Sequence, residues 1–143
     1  MRETLRIAQT ETLSAPRNQE EFQKFITRKC EDSMQRYTYM RLIKESHYDG
    51  LFNRQFDSDL FLLICRTFIE QVFENQAFNN AVEQEFVICV MSNIFKSPQF
   101  TFVLDFLEDD EQALINDIVH NKLNLADHYD PKLTMMKETL AEL

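Results

Sequence analysis

A single glycine, Gly50, in 143 residues restricts this chain more than any other feature. A sheet fold of this length needs a tight turn every ten or so residues, and those turns draw heavily on glycine and proline. Beyond Gly50 the chain has three prolines, Pro16, Pro98 and Pro131. The expectation is therefore all-α: a single compact bundle of about seven helices with short polar connections. The length is close to the ~150 residues of one domain. With 44% apolar residues it can bury a real core without metals or disulfides.

Charge and cysteine usage narrow the partners. The net charge is −9, the basic residues are scattered, and the dense run Glu108 to Glu111 is acidic. Nucleic acid is not an expected partner, because binding it needs a basic patch that displaces counterions from phosphates. No apolar run reaches the ~18 residues of a membrane span, so no membrane partner is expected either. The segment MRETLRIAQTETLSAPRNQ lacks the continuous apolar stretch of a secretory signal. Cys30, Cys65 and Cys89 are odd in number, far apart and each inside a helical pattern. They read as small buried hydrophobes of a reducing compartment, the cytosol, with the nucleus as a second setting.

Residues 1–17 are polar, with only the weak pair Leu5 and Ile7, and read as a flexible N-terminal linker. Residues 18–143 read as the helical domain. Asn18 with Glu21 forms a capping-box pair ahead of the stripe Phe22, Phe25, Ile26. A second helix is expected over Met34 to Ser46, with Tyr39, Leu42 and Ile43. Gly50 breaks the pattern, and Leu51, Phe52 and Phe56 cover one end of the core. Asp57 caps a helix from Ser58 to about Glu74 that is apolar on most of its circumference, the expected centre of the bundle. Asn79 or Asn80 opens a helix to about Lys96. Ser97-Pro98 restarts the chain, since serine suits the N-cap and proline the first helical position. Asp109 or Asp110 opens the next helix, and Asp130-Pro131 begins a last amphipathic one carrying Leu133, Met136 and Leu140.

Catalytic or metal chemistry finds little support. His120 and His128 lack the i,i+4 spacing of a helical metal pair, and His128 beside Asp127 reads as a surface loop pair. One glycine cannot build a phosphate loop, and no G-x-S-x-G elbow exists. The acidic run sits where a helix N-terminus favours negative charge. No cofactor and no enzymatic activity are expected.

The segment KSPQFTFVLDFLEDDEQ, Lys96 to Gln112, holds more large apolar side chains than one core stripe can use. At ~100° per residue, Phe100, Val103, Leu104 and Leu107 share one side. Phe102 and Phe106 lie on roughly the opposite side, with Gln99. Either the helix is sandwiched between two layers or roofed by the C-terminal helix, or the two rings form an exposed patch of the kind that marks an interface.

The order Glu20-Glu21-Phe22 with Phe25, then Leu51-Phe52, then Phe56-Asp57-Ser58-Asp59-Leu60-Phe61, then SPQFTFVLDFLEDDE is distinctive. It resembles the C-terminal domain of RNA polymerase II-associated protein 3, spaghetti in flies, a domain type also found in coiled-coil domain-containing protein 103. The resemblance covers about Pro16 to Leu123. It implies an all-helical, non-enzymatic adaptor that docks onto the ATPase face of a RuvB-like AAA+ ATPase, chiefly the second paralogue. Such an adaptor anchors a co-chaperone in the assembly of multi-subunit machines. The family's contact positions fall on Gln99, Phe102 and Phe106. Gln99 stands where the family commonly has a basic residue, and the tetratricopeptide repeats that hold heat-shock chaperones are absent, so those chaperones are expected only indirectly. The alternative is a self-associating scaffold of the dynein-arm assembly type, paired through the helix from Asp130 to Leu143.

Overall fold

The computed structural model describes residues 16–54, 56–127 and 129–142. Among them are eight helices and no strand, so the fold is all-α. They are α1 (Gln19–Lys24), α2 (Ser33–Leu42), α3 (Glu45–Tyr48), α4 (Ser58–Phe68), α5 (Ala81–Phe95), α6 (Phe100–Asp105), α7 (Asp109–Asp117) and α8 (Pro131–Ala141). Three of them run on into a wider, π-type turn: Phe25–Lys29 after α1, Ile69–Phe73 after α4 and Ile118–Lys122 after α7. Each closes with a bond spanning five residues. Cys30 N–H donates to the Phe25 carbonyl at 3.1 Å, Glu74 to Ile69 at 2.8 Å and Leu123 to Ile118 at 3.0 Å.

Local chemistry starts most of these helices where the sequence placed them. Asn18 Oδ1 accepts from Glu21 N–H at 3.0 Å, Asp57 Oδ1 from Leu60 N–H at 2.9 Å and Asn80 Oδ1 from Glu83 N–H at 3.0 Å. Asp130 Oδ1 accepts from Lys132 N–H at 2.9 Å, with Pro131 at the first helical position. Each bond satisfies a donor that the first turn leaves without an intrahelical partner. The Asn18 box is shifted by one residue: Glu21 reaches past the cap to accept from Arg17 N–H at 3.2 Å and Arg17 Nε at 2.6 Å. Arg17 is thus engaged with α1, while residues 1–15 of the expected linker lie outside the described residues.

Other boundaries differ from expectation. The helix expected over Met34 to Ser46 is two helices. Ile43 is extended, with φ −81° and ψ 132°, and this break takes its side chain and that of Tyr48 into the core. The Tyr48 hydroxyl then donates to the Met40 carbonyl at 2.6 Å, a second bond to an acceptor at the end of α2 that also takes the Ile43 N–H at 3.3 Å. Leu42, expected in the stripe, is 57% exposed. Gly50 has φ +89° and sits third in the turn closed by Leu51 N–H to the Tyr48 carbonyl, a position that strongly favours glycine. α7 begins at Asp109, so Glu108 is its N-cap, and Glu111 Oε1 accepts from Glu108 N–H at 2.9 Å.

α4 and α5 form the centre. α4 contributes Leu60, Phe61, Ile64, Cys65 and Phe68, and α5 contributes Phe86, Val87, Val90, Met91 and Ile94, all within 2% of full burial. α2 packs on α4, while α3 and α8 pack on α5. Rings meet mostly edge to face: Phe68 with Phe86 at 6.2 Å and 89°, Phe61 with Phe100 at 5.4 Å and 86°. Arg36 Nε donates to Thr67 Oγ1 at 3.1 Å, and Gln71 Nε2 to Ser33 Oγ at 2.8 Å, so α2 is also pinned to α4 and the π-type turn after it by polar contacts. Cys30, Cys65 and Cys89 are buried and form no disulfide.

Candidate protein-interaction site

α6 is short, and one face of it is fixed firmly. Phe100 stacks on Phe95 at 4.1 Å and meets Phe61 edge to face, tying α6 to both central helices. Val103, Leu104 and Leu107 complete the buried stripe. Burying each such side chain fully is worth ~1.5–3 kcal/mol, so a helix of six residues needs no help from propensity. Its start is a turn: Phe100 N–H donates to the Ser97 carbonyl at 3.1 Å, and Gln99 N–H to Ser97 Oγ at 3.2 Å. Regular helix therefore begins at Phe100, two residues later than Ser97-Pro98 suggested. At the far end Gln112 Nε2 donates to the Leu104 carbonyl at 3.2 Å, which holds α6 to α7.

The other face of α6 is bare. Phe102 is 61% exposed and Phe106 77%, and no second layer of described residues covers them. Gln99 is half-buried beside them, and its side chain makes no hydrogen bond to another described residue. The structure thus brings Gln99, Phe102 and Phe106 onto one surface. That surface is one wall of a groove of about 360 Å³, whose opposite wall is Phe56, Asp57 and Ser58 at the start of α4. Val103 lines the groove while belonging to the core stripe, so the groove and the core share a side chain.

The second wall was not assembled by sequence reasoning. Phe56-Asp57-Ser58 precedes α6 by some forty positions, and only the packing of α6 on α4 brings the two together. The available signal was FDSDLF, where a bulky ring directly precedes a helix cap. Asp57 spends one carboxylate oxygen on the Leu60 N–H and remains exposed.

Elsewhere the chemistry is structural. A depression of about 380 Å³ is lined by Arg17, Asn18, Gln19, His47, Gly50 and Arg54 among others. Two of its polar groups serve each other, where Arg54 N–H donates to Gln19 Oε1 at 3.0 Å. His120 is exposed, and His128 of the expected loop pair lies outside the described residues. Among the described residues no group of three or more His, Cys, Asp or Glu is placed to hold a metal ion. None of their helices is long and apolar enough to cross a membrane. Burial pushes the Cys65 thiol well above its ordinary value, which keeps it protonated and a poor nucleophile. Burial and then the Glu83 hydrogen bond do the same to the Tyr37 phenol. The exposed Met34, Leu42, Phe78, Val82, Leu125 and Tyr129 are the scattered apolar residues any folded surface carries.

An all-helical domain with two exposed rings beside an apolar groove is a binding domain in form, and comparison with known proteins agrees. The chain belongs to the family described as the "potential Monad-binding region of RPAP3", which matches residues 15–112, more than half of its length. The match takes in α1 to α6, both walls of the groove and the first turn of α7, and stops short of the Leu123 limit of the resemblance. No curated protein and no solved structure matches the chain.

Proposed function

We propose that this chain is a non-enzymatic adaptor that docks onto the ATPase face of a RuvB-like AAA+ ATPase, the second paralogue first, through Gln99, Phe102 and Phe106. In this reading it anchors that ATPase within a cytosolic or nuclear chaperone assembly that builds multi-subunit machines. Heat-shock chaperones join indirectly, and residues 1–17 tether the docking unit of residues 18–143. The observation that carries the reading is the ring pair: two phenylalanines with most of their surface in water, on a helix whose opposite face is spent on the core. Exposed aromatic anchors beside a groove are the usual energetic centre of a protein interface.

The self-associating scaffold has less support. Leu133, Met136 and Leu140, the face expected to pair between copies, are at most 6% exposed, because α8 lays them on α5. A second reading follows the family's description and places Monad in the groove instead of the ATPase.

The test is the double substitution Phe102→Glu with Phe106→Glu, used as bait in parallel with wild type against purified ATPase and purified Monad. The helical circular-dichroism signal is expected to be unchanged and ATPase capture lost. A double variant that unfolds, or that captures the ATPase as well as wild type, overturns the reading. Capture of Monad alone, sensitive to the same rings, transfers the groove to the second reading.

A further inference from the structure

The groove is apolar, but its surroundings are not neutral. Asp57 lines it, Asp105 at the end of α6 is exposed and precedes Phe106 in sequence, and Glu108, Asp109 and Asp110 follow, all exposed. Asp57 also lines the neighbouring depression, of about 340 Å³, which it shares with Asp59 and Glu111. Four carboxylates elsewhere have cations: Glu21 has Arg17, Glu83 has Arg41, Asp49 has Lys96 and Asp117 has Lys122, while others such as Glu70 and Glu85 form no ion pair with another described residue. Asp57, Asp59, Asp105, Glu108, Asp109, Asp110 and Glu111 form no ion pair with another described residue. Arg66 is the cation among the residues lining the second depression.

We infer that the groove accepts a cationic amphipathic segment of the partner: one or two bulky apolar side chains between α6 and the start of α4, bracketed by lysine or arginine over the carboxylate rim. This inference rests on the docking role proposed for Phe102 and Phe106 and adds the chemistry of what docks. The apolar groove is the site, and the charge around it selects the occupant. A cavity of 360 Å³ is at the small end of ligand pockets, room for side chains rather than for a whole element. A second copy of this chain is disfavoured, since it would bring the same unpaired carboxylates face to face. An anionic lipid or nucleic-acid surface would meet the same repulsion. A basic segment gains twice: its cations are steered to the groove, and they meet carboxylates that have no internal ion pair to give up.

Two probes test this. The first is a pair of synthetic peptides of about fifteen residues with the same i,i+4 leucine pair, one flanked by lysines and one by glutamates. Binding is followed through the ring resonances of Phe56, Phe102 and Phe106. The lysine peptide is expected to bind about tenfold more tightly at low salt, with the gap closing as salt rises. The second probe is the RuvB-like ATPase, offered to wild type, to Asp105→Lys/Asp109→Lys, to the milder Asp105→Asn/Asp109→Asn, and to Glu138→Lys on α8 as a control. The rim variants should slow association about tenfold and leave dissociation nearly unchanged, while the control behaves as wild type. Equal binding of the two peptides, preference for the glutamate peptide, or no shift of the rings with either, overturns the inference. ATPase capture that still depends on Phe102 and Phe106 but ignores the rim charges also overturns it and leaves the docking role standing. Capture that ignores the rings removes both. Ring-dependent dimerisation in sedimentation assigns the groove to a second copy and overturns the inference.

Discussion

Phe68 and Phe106 are the same residue type in the same small domain, and their settings have nothing in common. Phe68 is fully buried, meeting Tyr37 and Phe86 edge to face, each at 6.2 Å. Phe106 presents 77% of its surface to water at the end of a helix whose opposite side is packed solid. The interior region of α2, α4 and α5 uses aromatic rings as volume, filled to crystal-like density. The outer face of α6 holds rings that the fold itself does not use. Residue type therefore says little about role here; what surrounds the ring decides it.

The sharpest way to break this contrast is to truncate both rings. Phe68→Ala removes a fully packed side chain from the centre and should cost ~3–5 kcal/mol in denaturant unfolding. Phe106→Ala should stay within about 0.5 kcal/mol of wild type, as surface substitutions do, yet lower partner affinity by ~2 kcal/mol, as a hot-spot ring does. A Phe106→Ala loss of stability approaching that of Phe68→Ala would make α6 part of the core and end the distinction.

Asp57 sits where the two regions touch and gives a smaller effect that sharpens the comparison. Its side chain caps α4, the central helix, and its remaining charge faces the groove. Asp57→Ala should lose about 1 kcal/mol of stability by thermal melting. Asp57→Asn keeps the cap, since asparagine caps about as well, and should melt like wild type while associating more slowly with a cationic partner. Equal melting of the Ala and Asn variants would show that the cap bond contributes nothing.

These two regions were not equally legible in the sequence. The caps at Asn18, Asp57, Asn80 and Asp130 were readable because a side chain and an N–H two or three residues on make a local bond. The two faces of α6 were readable for a related reason: helix geometry alone separates Phe100, Val103, Leu104 and Leu107 from Phe102 and Phe106. What could not be read depends on distant residues. The break at Ile43 is set by how Ile43 and Tyr48 enter the core, and Leu42 is exposed as its consequence. The π-type turns ending α1, α4 and α7 add one residue to a turn without a sequence signature. The wall of Phe56, Asp57 and Ser58 exists only once α6 has packed on α4. Thus the ring pair and the acidic run were visible beforehand, and the groove beside them was not.

The smallest effect comes from the start of α1, another of the capped N-termini. The Arg17 guanidinium and backbone N–H beside Glu21 hold its carboxyl below the ordinary carboxylate range, mainly through the side-chain hydrogen bond at 2.6 Å. A carboxyl whose folded value lies below its unfolded one stabilises the fold when ionised in both states. That contribution is complete above the ordinary glutamate range and is lost as pH falls through it to the lowered folded value. Glu21→Gln should therefore melt slightly below wild type at neutral pH, and the two curves should converge in acid as wild-type Glu21 takes up its proton. The pair is solvent-exposed, and such pairs contribute little, so the neutral-pH gap should be the smallest of those predicted here. If instead it rivals the loss in Phe68→Ala, an exposed contact would be carrying stability on the scale of a buried ring. The division between an interior that holds the fold and a surface left free for recognition would then fail. A small gap that closes in acid supports it, because α1 would then be held mainly by Phe22 and Ile26, which are at most 1% exposed.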